Sequence, residues 1–378
     1  MKQLLGLLIC LITSGAFSQT KFTDTITSKK LGQDREITIA LPPSYERNTE
    51  KKYPLLLLLD GDYLLDPFLG NLNYGAYWDD IPEMVIVAIT QNKNNEREAD
   101  SKFGEQGVPE ETGASFFEFV GMELLPAIEK TYRIAPFKII AGHDTTAGFV
   151  NFFLYKENPL FNAYISMSPE LPPGMEEQIP QRLAAIGQPI FYYHSTADGD
   201  LKKMRERIKA LDAAVKSNKK PTLNYGFDDF THASHYSLVL HSIPNALYQF
   251  FAVYQPISTT EFSEKIAVLP SGYVDYLVTK YDFMEKALGI KLQIRVSDFK
   301  AIEAAILKNK AYSEFDKLAD LAKKNYPKSM LADYHMGMMY EKMGETNKAI
   351  KAYMSGFQRE EIGDLTKDFI LEKAEDLK

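Results

Sequence analysis

Five consecutive leucines, Leu55–Leu59, stand between Tyr53-Pro54 and the turn cluster Asp60-Gly61-Asp62. A short, wholly apolar run stopped by turn residues fits a strand buried on both faces, and such strands belong to parallel sheets covered by helices. Met84–Ile89 is a second run of this kind, and Arg35–Leu41, Lys138–Ala141, Ala163–Met167, Pro189–His194 and Leu223–Phe227 are further strand candidates. Between them, Phe116–Tyr132, Phe149–Tyr155, Leu201–Lys216 and Ile243–Tyr254 have helical apolar spacing. Alternation of strand and helix predicts a doubly wound, mostly parallel α/β sheet.

The texture changes after Pro256. Asp298–Leu307, Ser313–Lys324, Ala332–Met343 and Asn347–Gln358 read as helices separated by Lys310, Pro327 and Gly344. Within them Tyr334, Gly337, Tyr340, Gly344, Ala349 and Tyr353 keep the spacing of a tetratricopeptide repeat, with small residues for close helix approach and tyrosines to fill the gap. One clear repeat is fewer than a free-standing array needs, so these helices are expected to lean on the first domain. The chain thus divides into residues 1–18, an α/β domain over 19–255 and a small all-α helical-repeat domain over 256–378.

Residues 1–18 read as an export signal. Lys2 supplies the positive charge, Leu4–Ile12 the short apolar core, and Ala16-Phe17-Ser18 the small residues before a cut at Gln19. The expected location is the periplasm or the outside of the cell. The apolar core is too short for a permanent membrane span, and no other stretch is long enough. The single cysteine, Cys10, lies inside this segment, which leaves the mature chain without thiol or disulfide chemistry. A net charge of −8 with no basic run argues against nucleic acid as a partner. The histidines have no metal-ligand spacing, so neither a metal nor a cofactor is expected.

Chemistry concentrates at Gly142-His143-Asp144-Thr145-Thr146-Ala147-Gly148, a short strand running into a helix. That is the setting of a nucleophile elbow, normally G-x-S-x-G, where a strained turn exposes the serine and aims the following N–H at the developing oxyanion. Here Asp144 stands at the nucleophile position, and Thr146 replaces the second glycine, where a side chain is expected to crowd the turn.

Taken with its surroundings the elbow resembles that of the esterase family of α/β-hydrolases, which includes siderophore-ester hydrolases and S-formylglutathione hydrolase-like proteins. The resemblance spans about Ile37 to Phe251. It includes Leu58-Leu59-Asp60-Gly61-Asp62, Arg97 with Asp100, Tyr132-Arg133, and Phe161-Asn162-Ala163-Tyr164-Ile165 leading to Ser168-Pro169. It implies an α/β-hydrolase fold and a small ester-like substrate. It implies a catalytic histidine at His235 (His235-Tyr236-Ser237) or His232 (His232-Ala233-Ser234), and an acid at Asp198 or Asp200. Thr145 would supply one oxyanion donor, Gly61 or Asp62 the other, and Arg97 would lie near the pocket.

Asp144 sets this sequence apart from the pattern. A carboxylate has no proton for a histidine to remove, and its attack on an ester carbonyl would exchange an ester for an anhydride. Three roles stay open. Asp144 pairs with a protonated His235 and closes the pocket to catalysis. It attacks an sp³ carbon, as in haloalkane dehalogenases and epoxide hydrolases, although Thr145 replaces the halide-holding tryptophan common there. Or an unnoticed serine serves. The first role makes the hydrolase domain a ligand-binding or scaffold unit, with a protein partner docking on the helical repeats.

Overall fold

The computed structural model describes residues 20–218 and 220–378. The expected export signal lies outside the described residues. Eight strands form one sheet: β1 (Thr20–Ser28), β2 (Gln33–Leu41), β3 (Tyr53–Leu58), β4 (Val85–Ile89), β5 (Ile134–His143), β6 (Ala163–Met167), β7 (Ile190–Gly199) and β8 (Leu223–Ser234). Their order is β1-β2-β4-β3-β5-β6-β7-β8. The β1/β2 and β2/β4 pairs are antiparallel, and every pair from β4 through β8 is parallel.

The leucine run is β3, near the middle of the sheet, and none of Leu55 to Leu59 has measurable exposure. Successive side chains on a strand point to opposite faces. Leu55, Leu57 and Leu59 accordingly pack with Val85, Val87, Phe116, Phe119 and Phe149 on one face. Leu56 and Leu58 pack with Phe68 and Leu72 of the helix Gly61–Tyr77 on the other. That helix is absent from the sequence reading, because Asp60-Gly61-Asp62 looks like a plain turn. It starts hard against β4, where a Cβ on Gly61 would sit 2.8 Å from the Ile89 carbonyl oxygen. Asp60, at φ 54°, turns the chain into it.

The segment expected as one helix over Phe116–Tyr132 runs from Glu111 to Thr131 with a π-helical stretch at Val120–Leu124. The Asn92–Glu98 stretch, which reads as a solvated loop, instead ends in the short helix Glu96–Asp100. It carries Arg97 inward, while Asp100 is buried on Arg35.

Beyond residue 258 the described chain is helical, with Val296–Lys308, Glu314–Asn325, Leu331–Lys342 and Thr346–Phe357 matching the four segments expected there. Gly337 faces Tyr353 so closely that a Cβ would lie 2.2 Å from the ring. The helices are joined to the sheet domain by a continuous apolar cluster reaching from Leu56 and Phe191 through Phe250 and Tyr254 to Leu277, Phe299 and Tyr353. Arg295 reinforces the junction, hydrogen-bonding Asp79 and lying 4.5 Å above the Tyr254 ring. No helix among the described residues is long and apolar enough to cross a membrane.

Candidate active site

β5 ends at His143 and the helix Thr145–Val150 begins one residue later, so Asp144 alone makes the turn. Its backbone sits at φ 60° and ψ −119°, a conformation that costs a non-glycine residue about 1–3 kcal/mol and is tolerated where the surroundings enforce it. They do so here. A Cβ on Gly142 would lie 2.8 Å from the Thr146 hydroxyl oxygen, and one on Gly148 would lie 2.0 Å from the Glu170 carbonyl oxygen. Asp144 N–H donates to the Met167 carbonyl (3.0 Å), and its own carbonyl accepts from Glu170 N–H (3.0 Å).

Thr146 does not crowd the elbow as expected. Gly142 makes room for it, and its buried hydroxyl accepts from His143 N–H (3.0 Å) while lying within hydrogen-bonding reach of the Asp60 carboxylate and the His143 carbonyl. It ties the elbow to the end of β3.

The loops after β7 and β8 bring the next partners in. Gly199 allows them to touch, since a Cβ there would fall 2.5 Å from Ser234 Cα and 2.8 Å from His235 N. Ser234 and Ser237 brace the β8 loop by exchanging backbone-to-hydroxyl hydrogen bonds of 2.8 and 3.0 Å. His235 Nδ1 then lies 2.7 Å from Asp200 Oδ1, and its Nε2 lies 3.7 Å from Asp144 Oδ1. The second distance is an ion pair rather than a hydrogen bond. His232 and Asp198 lie apart from this group: His232 N–H donates to Asp198 (3.1 Å), which pairs with Arg205 (2.9 Å).

Electrostatics favour a charged His235. Its pKa is raised by the Asp200 hydrogen bond and by the nearby Asp144 charge, against partial burial. Burial pushes Asp200 up, but hydrogen bonds from His235, Ser168, Thr196 and the Ala197 N–H outweigh it and bring it down to about 2. Ser168, itself at φ 48°, places its hydroxyl 3.3 Å from His235 Nδ1. It faces the nitrogen already held by Asp200, the wrong side for a nucleophile that must give its proton to Nε2.

Arg97 closes the other flank of Asp144. Its Nε donates to Asp60 Oδ1 (2.6 Å) and one terminal nitrogen to the His143 carbonyl (2.8 Å); the other lies 3.5 Å from Asp144 Oδ2. Tyr63 links the same parts, its hydroxyl donating to Asp60 Oδ2 (2.9 Å) and lying 3.0 Å from His143 Nδ1. His143 is buried and spans to the His235 carbonyl through Nε2 (2.9 Å). Asp60, Tyr63 and Ser168 were not singled out from sequence. The first and last lie in stretches that carry the family resemblance, which was the available signal. Thr145, Gly61 and Asp62 all occupy first turns of helices, where N–H groups lack intrahelical partners.

The architecture matches that of known proteins. Residues 28–223 match the family model described as "Putative esterase". An uncharacterised protein from Capnocytophaga ochracea DSM 7271 has a similar structure, with TM-score 0.86 and 29% identity over 95% of this chain and 99% of that one. An IroE-like serine hydrolase from Shewanella oneidensis superposes with TM-score 0.61 at 18% identity, covering 81% of this chain and 99% of its own. The BES protein from Bacillus cereus does so at TM-score 0.52 and 18% identity, over 60% of this chain and 94% of its own. No curated protein matches. The chain is a member of the esterase family of α/β-hydrolases.

Proposed function

We propose that this chain is an exported esterase-family protein that binds an ester-like small molecule and does not hydrolyse ordinary esters. One observation carries the reading: the residue at the strand-to-helix turn is Asp144, whose carboxylate lies 3.7 Å from His235 Nε2 and 3.5 Å from Arg97, and we assign it to the nucleophile position. In serine-type hydrolysis Nε2 removes the proton of the attacking hydroxyl. Asp144 has no such proton, and an anion beside Nε2 favours the imidazolium, which cannot act as a base. In this assignment His235 and Asp200 are the remnants of a triad, with Asp198 and His232 outside it. The export part rests on the pattern of residues 1–18.

A second reading has its own support. The Asp144 side chain keeps 29% exposure and the Asp200–His235 pair is intact. Asp144 could attack an sp³ carbon, the leaving group departing with the bonding pair. Water activated by His235 would then split the alkyl-enzyme ester. Arg97 beside the carboxylate lowers its nucleophilicity, so this reading stands second.

The test is hydrolysis of p-nitrophenyl acetate by native protein, Asp144→Ser, and Asp144→Ser combined with His235→Ala. Native protein should stay at the uncatalysed rate. Asp144→Ser should gain turnover and lose about 100-fold or more of it with the histidine, the scale of general-base catalysis. Hydrolysis by native protein that disappears with His235→Ala defeats the binding-only reading. Label from H₂¹⁸O appearing in Asp144 after reaction with an alkyl halide or epoxide would promote the second.

A further inference from the structure

The helices beyond the sheet domain enclose a cavity of about 370 Å³. It is lined by Val296 and Glu303 of the helix Val296–Lys308, Leu331 and Tyr334 of the helix Leu331–Lys342, Leu365, and Phe369 of the helix Lys367–Glu375. Its walls are fixed. Gly363, at φ 60°, turns the chain so that Ile362 and Leu365 exchange backbone hydrogen bonds of 3.2 and 3.0 Å. Lys300 clips this turn to the first helix by pairing with Asp364. The Thr366 hydroxyl accepts from Phe369 N–H (3.3 Å) and starts the helix that carries the ring.

Within this lining one carboxylate meets two aromatic rings. Glu303, whose side chain is 17% exposed, accepts from the Tyr334 hydroxyl (3.1 Å), and the Tyr334 ring centre lies 6.1 Å from that of Phe369. The buried His335 lies behind the carboxylate, its Nε2 3.5 Å away with no hydrogen bond between them. Among the described residues no lysine or arginine pairs with Glu303, and Lys300, at the cavity wall, is engaged by Asp364. A carboxylate largely withdrawn from water is stabilised by a cation, and here the place for one is bordered by aromatic faces, which attract cations as well.

We infer that this cavity is a docking pocket for an arginine side chain presented by a partner protein. A guanidinium group pairs with a carboxylate and stacks on aromatic rings at the same time. Its apolar stem would cover Val296, Leu331 and Leu365. The volume stands at the small end of ligand cavities and suits one long side chain. The Phe369 ring, 40% exposed, would pack against neighbouring residues of the same segment. This pocket is independent of the role assigned to Asp144.

Isothermal titration of the native protein at pH 8, above the ordinary imidazole range, tests this with two blocked pentapeptides. One has arginine flanked by alanines, and the other has citrulline, of the same shape without the charge, in its place. The arginine peptide should bind about tenfold tighter, the scale that one ion pair and one cation–π contact give together. The preference should vanish in Glu303→Gln, which keeps an acceptor for Tyr334, and shrink in Phe369→Ala; unchanged thermal midpoints show that both variants fold. Equal binding of the two peptides, no binding of either, or a preference that survives in Glu303→Gln overturns the pocket. Methylguanidine binding as tightly as the arginine peptide overturns the protein partner, since the peptide backbone would then contribute nothing.

Discussion

Replacing Asp144 by alanine and by glycine separates the two things the residue does. Both variants remove the carboxylate, so both lose its pairing with His235 at 3.7 Å and Arg97 at 3.5 Å. At 29% exposure of the Asp144 side chain each pair contributes at most about 1 kcal/mol, and Asp144→Ala should be destabilised by no more than about 2 kcal/mol. Only the glycine variant also removes the Cβ at φ 60° and ψ −119°. Relief of that strain returns about 1–3 kcal/mol. Glycine's extra freedom in the unfolded chain costs about 0.5–1 kcal/mol. Asp144→Gly should therefore be the more stable of the two by about 1 kcal/mol, or about 2 °C in thermal midpoint for a chain of this size. Urea unfolding monitored by fluorescence of Trp78, the only tryptophan, measures the difference. An alanine variant at least as stable as the glycine variant would mean that the strain is no larger than the roughly 0.5–1 kcal/mol that glycine's freedom costs, and the argument that the elbow remains built for a nucleophile would fail.

Two further outcomes follow from other parts of the molecule. His235 has a folded pKa above its unfolded value of about 6.5. Its contribution is fully present below that pH and is lost as pH rises through the folded value. The stability difference between native protein and His235→Gln should therefore be largest in mild acid and shrink towards pH 9, as read by urea midpoints across that range; a pH-independent difference would contradict the pairing with Asp200 and Asp144. Gly337→Ala puts a methyl group 2.2 Å from the Tyr353 ring, and overpacking of this kind should cost about 1–3 kcal/mol. A thermal midpoint within error of native would show that the two helices separate freely.

The apolar runs and their turn residues determined the fold class from sequence. Leu55–Leu59, bounded by turn residues, fits a doubly covered strand, and Gly142 and Gly148 around a strand-to-helix junction fit an elbow whatever residue stands between them. The absence of serine at 144 was equally plain, and with it the question of function. Several strands were read shorter than they are, β8 by seven residues at its C-terminal end (Leu223–Phe227 against Leu223–Ser234), because its outer part is polar and half-exposed and has no apolar run. The helix Gly61–Tyr77 was hidden by the turn residues that start it and by Pro67 within it.

Which residues meet was decided by the tertiary structure alone. Asp198 and Asp200 differ by two positions, and His232 and His235 by three, so no spacing rule ranks them. The touching of Gly199 on Ser234 does, by carrying Asp200 and His235 inward and leaving Asp198 to Arg205. Arg97, which the family resemblance places near the pocket, gains its partner only in the fold, where a short helix turns it onto Asp60. Sequence registers the local cost of a turn or a buried strand, since that cost falls on adjacent residues. Pairing between charges on separate loops depends on where the sheet places the loops, and that is set by the packing of the whole chain.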